Sequence, residues 1–285
     1  MIIVKLDGGL GNQMFQYAAA RSLALRKNTD LCLDVSAFSS VSENKTPRNF
    51  QLNAFNIKVP FCAIDQKEQR NLSLIERLIN KFKPYYRKQY YYEPFFHFDA
   101  NFYNASSNST LIGYWQSEKY FIDDAQVIRS DFLLKKVVSS ETVFFEEKIK
   151  TENSVSMHLR RGDYVSNDAA ASLLGALPLS YYEDAMRWIK LKVPEPHYYI
   201  FSDDPYWVRL NLNITNSTIV DTGNEITDFI AMSQCQHNII ANSSFSWWAA
   251  WLNANKNKRV IAPKNWFRDK TINTKDLIPS SWIRL

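Results

Sequence analysis

From Val155 to Ala262, short apolar runs alternate with longer amphipathic stretches, and few folds accommodate that alternation. Val155–Leu159, Tyr198–Phe201, Ile219–Val220, Asn238–Ala241 and Arg259–Ala262 read as strands. Leu179–Lys192, a segment opening at Pro205, Glu225–Gln234 and Ser246–Asn253 read as helices. In the first of these helices Leu179, Tyr182, Ala185, Met186 and Ile189 fall on one face. Strands separated by helices at this spacing predict a mostly parallel, doubly wound α/β sheet. The N-terminus repeats the pattern. A buried strand at Ile2–Leu6 is stopped by Asp7-Gly8-Gly9, a helix follows from Asn12 to Lys27, and Leu31–Val35 forms a second strand. Between Ser36 and Asn153 the pattern loosens. Ser39–Thr46 is polar and loop-like, Ile64–Lys83 predicts a helix, and Tyr90, Tyr91, Tyr92, Phe95 and Phe96 form an aromatic cluster. Aromatic residues near a site can stack on a sugar, but most are core residues, so core and acceptor groove both stay open for this cluster. A boundary near residue 150 divides the chain into domains 1–150 and 151–285.

Strand 155–159 runs into His158-Leu159-Arg160-Arg161-Gly162-Asp163-Tyr164. Ligands of open α/β sheets bind beyond the carboxyl ends of the strands, where this sequence places two guanidiniums, a glycine and a carboxylate. A guanidinium presents paired donors that match phosphate oxygens. A phosphorylated, nucleotide-linked ligand is one reading, and a solvated turn with a surface ion pair is the other. His158 lies two residues before Arg160 on the same face of the strand. A second strand-end loop, Asn242-Ser243-Ser244-Phe245, places hydroxyls and unpaired N–H groups at a helix start, which suits an anion as well as a plain N-cap. Asp203-Asp204 has the form of an Mg²⁺ or Mn²⁺ motif, but Pro205 marks Asp204 as a helix-entry residue. The glycines after the first strand invite a dinucleotide reading, yet the third glycine position of GxGxxG is Met14, which disfavours an NAD- or FAD-dependent oxidoreductase.

Composition bounds the partners. Hydrophobic residues make up 46% and charged ones 22%, so a packed core is expected. The net charge of +5 lacks the long basic blocks of a nucleic-acid-binding tail. Cys32, Cys62 and Cys235 show no CxxC spacing, and neither a disulfide framework nor a zinc site is expected. The four histidines have no ligand spacing. No leader or membrane-length apolar run opens the chain, which reads as cytoplasmic.

Three motifs, Gly8-Gly9-Leu10-Gly11-Asn12-Gln13-Met14-Phe15-Gln16-Tyr17-Ala18, His158–Tyr164 and Asn242-Ser-Ser-Phe-Ser-Trp-Trp248, together resemble the bacterial α-1,2-fucosyltransferases of glycosyltransferase family 11. The resemblance spans nearly the whole chain. It implies a GT-B fold of two facing Rossmann-like domains, with the acceptor on the N-terminal side and the donor on the C-terminal side. It also implies GDP-β-L-fucose as donor and an inverting reaction without metal or other cofactor. The acceptor it implies is a terminal β-galactoside, as in O-antigen synthesis, with membrane contact only through a lipid-linked acceptor at the inner face of the plasma membrane. Arg160 would meet the β-phosphate with Arg161 beside it, His158 the nucleoside, Asp228 the guanine, and Ser243, Ser244 and Phe245 the diphosphate. Asp163 is the first candidate for the base, or else a brace for an arginine. Asn12 and Gln13 would orient donor or acceptor. Another nucleotide sugar, or a non-catalytic glycan-binding protein using the eight Trp and fifteen Tyr as stacking platforms, are the competing readings.

Overall fold

The computed structural model describes residues 1–39, 48–62, 82–135, 149–150 and 153–285. The expected helix over 64–83 and the polar loop over 39–46 fall almost wholly outside the described residues. The chain forms two compact units, one of residues 1–135 with 274–277 and the other of 136–273 with 278–285. The expected boundary near 150 adjoins residues outside the described set. The return of 274–277 to the first unit has no counterpart in the sequence reading.

The first unit holds a sheet of β1 (Ile2–Lys5), β2 (Leu31–Asp34), β3 (Phe61–Cys62), β4 (Tyr90–Tyr92) and β5 (Thr110–Ile112), in the order β3-β2-β1-β5-β4. Every pairing in it is parallel. Helix α1 (Leu10–Arg26) follows β1, and α2 (Ala125–Asp131) closes the unit. Strands β3 to β5 lie where the pattern had loosened. Runs of two or three residues are too short to show periodicity, and among the described residues the chain between them turns through 3₁₀ segments. The aromatic cluster divides. Tyr91, Phe102, Trp115 and Tyr120 are fully buried and pack ring on ring, whereas Tyr92 and Phe95 are exposed.

The second unit holds β6 (Ser154–Leu159), β7 (His197–Ser202), β8 (Ser217–Val220), β9 (His237–Ile239), β10 (Val260–Ala262) and β11 (Ile283–Arg284), in the order β11-β10-β9-β6-β7-β8 and again all parallel. Helices α3 (Gly162–Ser166), α4 (Asp168–Leu173), α5 (Leu179–Lys190), α6 (Pro205–Asn211), α7 (Glu225–Gln234) and α8 (Ser244–Leu252) connect them. All six residues of β6 are buried, as a central parallel strand requires. Tyr182, Ala185 and Ile189 of α5 pack with Val155, Met157 and Ile200 into one core.

One expectation is corrected. Cys32 and Cys62 are joined by a disulfide, with Cα atoms 6.2 Å apart, and Cys235 remains as a buried thiol. Sequence spacing does not reveal the bridge, because it depends on β2 and β3 lying side by side in parallel register.

Candidate functional site

In the second unit the chain runs from β6 outward to β8, then returns to β9 on the other flank of β6. The topological switch point therefore lies between β6 and β9, where loops diverge and leave a crevice. The two singled-out segments, 160–164 and 242–245, follow these two strand ends. The Tyr164 hydroxyl joins them by donating to the Asn242 carbonyl at 3.0 Å.

Arg160 is held from two directions. Its Nε and Nη2 donate to Asp163 Oδ1 at 3.1 and 2.7 Å, and its Nη1 lies 3.1 Å from Asp203 Oδ2. Asp203 also accepts the backbone N–H of Arg161 through Oδ1 at 2.8 Å. Burial works against the charge on Arg160, but the Asp203 and Asp163 carboxylates outweigh it and hold its pKa above the ordinary value. The guanidinium is a permanent cation in a fixed orientation. Arg161 turns elsewhere. Its guanidinium lies 3.6 Å from the centre of the Trp207 ring, and its Nε lies 3.5 Å from Asp204 Oδ2. Asp204 also caps α6, accepting from the Trp207 N–H.

Asp203 is thus a residue whose role the sequence reading missed. In sequence it has the form of half a metal motif, yet it holds the Arg160 guanidinium and the Arg161 backbone N–H. The available signal was strand adjacency, since Leu159 pairs with Ser202 and the residues that follow emerge side by side. Among the described residues no cluster of three or more His, Cys, Asp or Glu side chains has metal-binding geometry.

His158 is 4% exposed, and its Nδ1 has no hydrogen-bond partner among the described residues. Burial pushes the imidazole pKa down to about 4, with Asp203 opposing and Arg160 assisting, so the ring is neutral at pH 7. A polar atom orphaned this deeply calls for a partner that a ligand or a water can supply. Phe245 packs its ring 5.7 Å from His158 and 5.3 Å from Phe229, linking β6, α8 and α7. Next to Phe229 in the chain, the half-buried Asp228 accepts the Thr222 hydroxyl at 2.7 Å, and burial raises its carboxyl pKa. Ser243 takes the N-cap position of α8, but its side chain makes no capping bond and no acidic residue occupies the first turn. Ser244 opens the helix.

Asn12 and Gln13 belong to the first unit. Gln13 is fully buried, donates to the Gly8 and Asn49 carbonyls and accepts the Gln51 N–H, so its carboxamide is spent on tying the Gly8 turn to the segment 49–51. Asn12 accepts through Oδ1 from Gln116 Nε2 at 2.8 Å.

Two Rossmann-like, all-parallel α/β units of the GT-B type, the second with a braced cation at its switch point, suit a phosphorylated, nucleotide-linked ligand, and the family match makes the class a glycosyltransferase. More narrowly, the chain belongs to glycosyl transferase family 11, whose family model matches residues 1–285. It is 36% identical over 310 residues to the O-antigen biosynthesis glycosyltransferase WbnK of Escherichia coli, covering 98% of this chain and 99% of that protein. It is 32% identical over 299 residues to an alpha-1,2-colitosyltransferase of Escherichia coli, covering 100% and 99%. A galactoside alpha-(1,2)-fucosyltransferase 2 of Sus scrofa is 24% identical over 262 residues, covering 88% of this chain and 69% of that protein.

Proposed function

We propose that the protein transfers L-fucose from GDP-β-L-fucose, with inversion, to the 2-hydroxyl of a terminal β-galactoside during surface-polysaccharide synthesis. The observation that carries this reading is the Arg160 guanidinium, fixed by Asp163 and Asp203 at the switch point of a family 11 chain. In the reaction the acceptor oxygen attacks the anomeric carbon as the bond to GDP breaks, and the hydroxyl proton passes to the departing diphosphate or to solvent. Negative charge then builds on the leaving diphosphate, and a cation oriented beforehand stabilises that charge more than it stabilises the bound donor. Neutral His158 flanks the nucleoside side, Ser243, Ser244 and Phe245 line the diphosphate, with the serines offering donors to its oxygens, and Asp228 offers acceptors to the guanine N1–H and amino group. Asp163 has committed an oxygen to two Arg160 donors, which favours its bracing role over that of base. The diphosphate charge is met by arginine in this reading and no metal is assigned. The reaction belongs in the cytoplasm, with a lipid-linked acceptor bringing the enzyme to the membrane. Among the described residues no helix is long and apolar enough to cross one.

Colitose is the second donor reading, favoured by the 32% identical colitosyltransferase. The deciding experiment supplies GDP-L-fucose, GDP-colitose and UDP-sugars with galactose-terminated acceptors and determines the product linkage. An α-1,2-fucoside at a rate unchanged by EDTA is expected. Preference for GDP-colitose would replace the donor, loss of rate restored by Mn²⁺ would overturn metal independence, and glycan binding without turnover would replace the enzyme.

The brace itself is testable at Gly162, where an added methyl would stand 2.5 Å from Asp203 Oδ2. Gly162→Ala is expected to displace that carboxylate from the arginines and weaken GDP binding roughly tenfold, the scale of one charged hydrogen bond. Calorimetric titration with GDP measures it, and unchanged affinity in a folded variant would show that Asp203 does not set the orientation of Arg160.

A further inference from the structure

Strands β4 and β5 run side by side and parallel, so the segments that lead into them share the amino-terminal end of the first sheet. That is the end opposite the one where ligands of such sheets bind. The segment before β4 is held from inside. Tyr85 opens a 3₁₀ turn, Tyr85–Arg87, and its hydroxyl donates to Asp99 Oδ2 at 2.6 Å and accepts from Asn101 Nδ2 at 3.0 Å. Its ring packs 6.0 Å from that of the fully buried Tyr91, and the Arg87 N–H closes the turn on the Pro84 carbonyl at 2.9 Å. With Tyr85 tied to the core, its neighbours are left at the surface. Lys83, Pro84 and Arg87 are exposed, and Phe82 stands 79% exposed. Together with Asn104 and Ser106, from the segment before β5, they line an open hollow of about 520 Å³.

An exposed phenylalanine is ordinary by itself. Here it adjoins a hollow whose lining holds two cations, two neutral hydrogen-bonding side chains and, among the described residues, no carboxylate. Neither Lys83 nor Arg87 has an acidic partner among the described residues, whereas Arg21, Arg26 and Lys119 of the same unit are each paired with an aspartate. Two unpaired cations at one concavity attract an anion, and the ring beside them favours an apolar phase. A free phosphate or a nucleic-acid backbone answers only the first demand. An anionic phospholipid answers both.

We infer that Phe82, Lys83, Arg87, Asn104 and Ser106 form a surface that docks the protein on an anionic phospholipid bilayer, with one phosphodiester headgroup in the hollow. Arg87 presents paired donors to the phosphate oxygens and Lys83 a point charge. Asn104 and Ser106 meet headgroup hydroxyls, and Phe82 enters the boundary between headgroups and acyl chains. The contact is with the bilayer itself, so it needs neither a lipid-linked acceptor nor any particular transferred sugar.

Sedimentation with vesicles of equimolar phosphatidylglycerol and phosphatidylcholine tests this on the full chain. The protein is expected to bind these vesicles, to ignore vesicles of phosphatidylcholine alone, and to lose affinity as salt is added. The double variant Lys83→Gln, Arg87→Gln is expected to bind about twentyfold more weakly, at about fivefold per cation. Phe82→Ala is expected to lose about tenfold through the missing apolar contact, and Phe82→Trp to keep wild-type binding, since an indole suits the same boundary. These side chains are exposed, so transfer to a water-soluble galactoside is expected to stay unchanged in every variant. Equal binding to both kinds of vesicle, or by wild type and the variants, overturns the surface. Binding of glycerol 1-phosphate or of an RNA oligomer without vesicle binding also overturns it, by showing a soluble partner. A protein that binds anionic vesicles through these residues and transfers no fucose would instead reject the proposed reaction and leave the surface standing.

Discussion

Replacing Arg160 with alanine is expected to reduce transfer below detection, because this side chain is the fixed cation of the second unit's switch point. Losing one oriented donor to transition-state charge costs roughly 10²–10³ in kcat, and a guanidinium contributes charge and geometry together. Stability has to be read beside activity. Asp163 and Asp203, with side chains 16% and 24% exposed, would face each other without their shared cation. Breaking a buried pair from one side costs roughly 3–5 kcal/mol, a large part of the 5–15 kcal/mol typical of whole domains. Arg160→Lys keeps a charge between the carboxylates and removes only the fork, so it is expected to fold and still lose about 10²-fold in kcat. Circular dichroism and thermal melting establish folding, and radiolabelled sugar transfer measures the rate. Near-normal turnover in either folded variant would remove Arg160 from the chemistry.

The parallel second unit was legible where its elements are long or strongly apolar, whereas the two-residue strand Ile283–Arg284 and the short helix Asp168–Leu173 had no counterpart in the sequence reading. Helix Glu225–Gln234 agrees residue for residue, and strand 155–159 gains only Ser154. The segment 160–164, read as a turn, becomes the short helix Gly162–Ser166 that carries Asp163 back onto Arg160. The three-residue spacing from Arg160 to Asp163 is the one that lets side chains meet across a helical turn. The first unit was less legible. Strands of two or three residues gain their stability from neighbours distant in sequence, as in Tyr90–Tyr92 pairing with Thr110–Ile112. The Cys32–Cys62 bridge and the Asp203 clamp both depend on such non-local adjacency. Local sequence records which groups are present, and only strand order shows which of them meet.

Asp228 offers the second large effect and a pH signature that distinguishes it from Arg160. A carboxylate that accepts from the guanine N1–H and amino group must be ionised, and those donors would be left unpaired by its removal. Asp228→Ala is therefore expected to weaken GDP binding by about 10²-fold while UDP, which lacks that donor pair, changes little. Burial raises the Asp228 carboxyl pKa, with the Thr222 hydroxyl opposing the shift. The free carboxyl thus takes up its proton at a higher pH than an ordinary aspartate. Bound guanine favours the ionised form, so binding releases that proton, and affinity must fall as pH drops through the raised value. Isothermal titration across acid pH should show wild-type affinity declining with proton release. Asp228→Asn should bind weakly throughout, without that pH-linked release. Arg160 is cationic over the whole range, so its variants should keep the wild-type pH slope from a lower starting affinity. A wild-type affinity for GDP that stays flat to the lowest pH at which the protein remains folded would remove guanine recognition from Asp228, whatever the activity of the alanine variant.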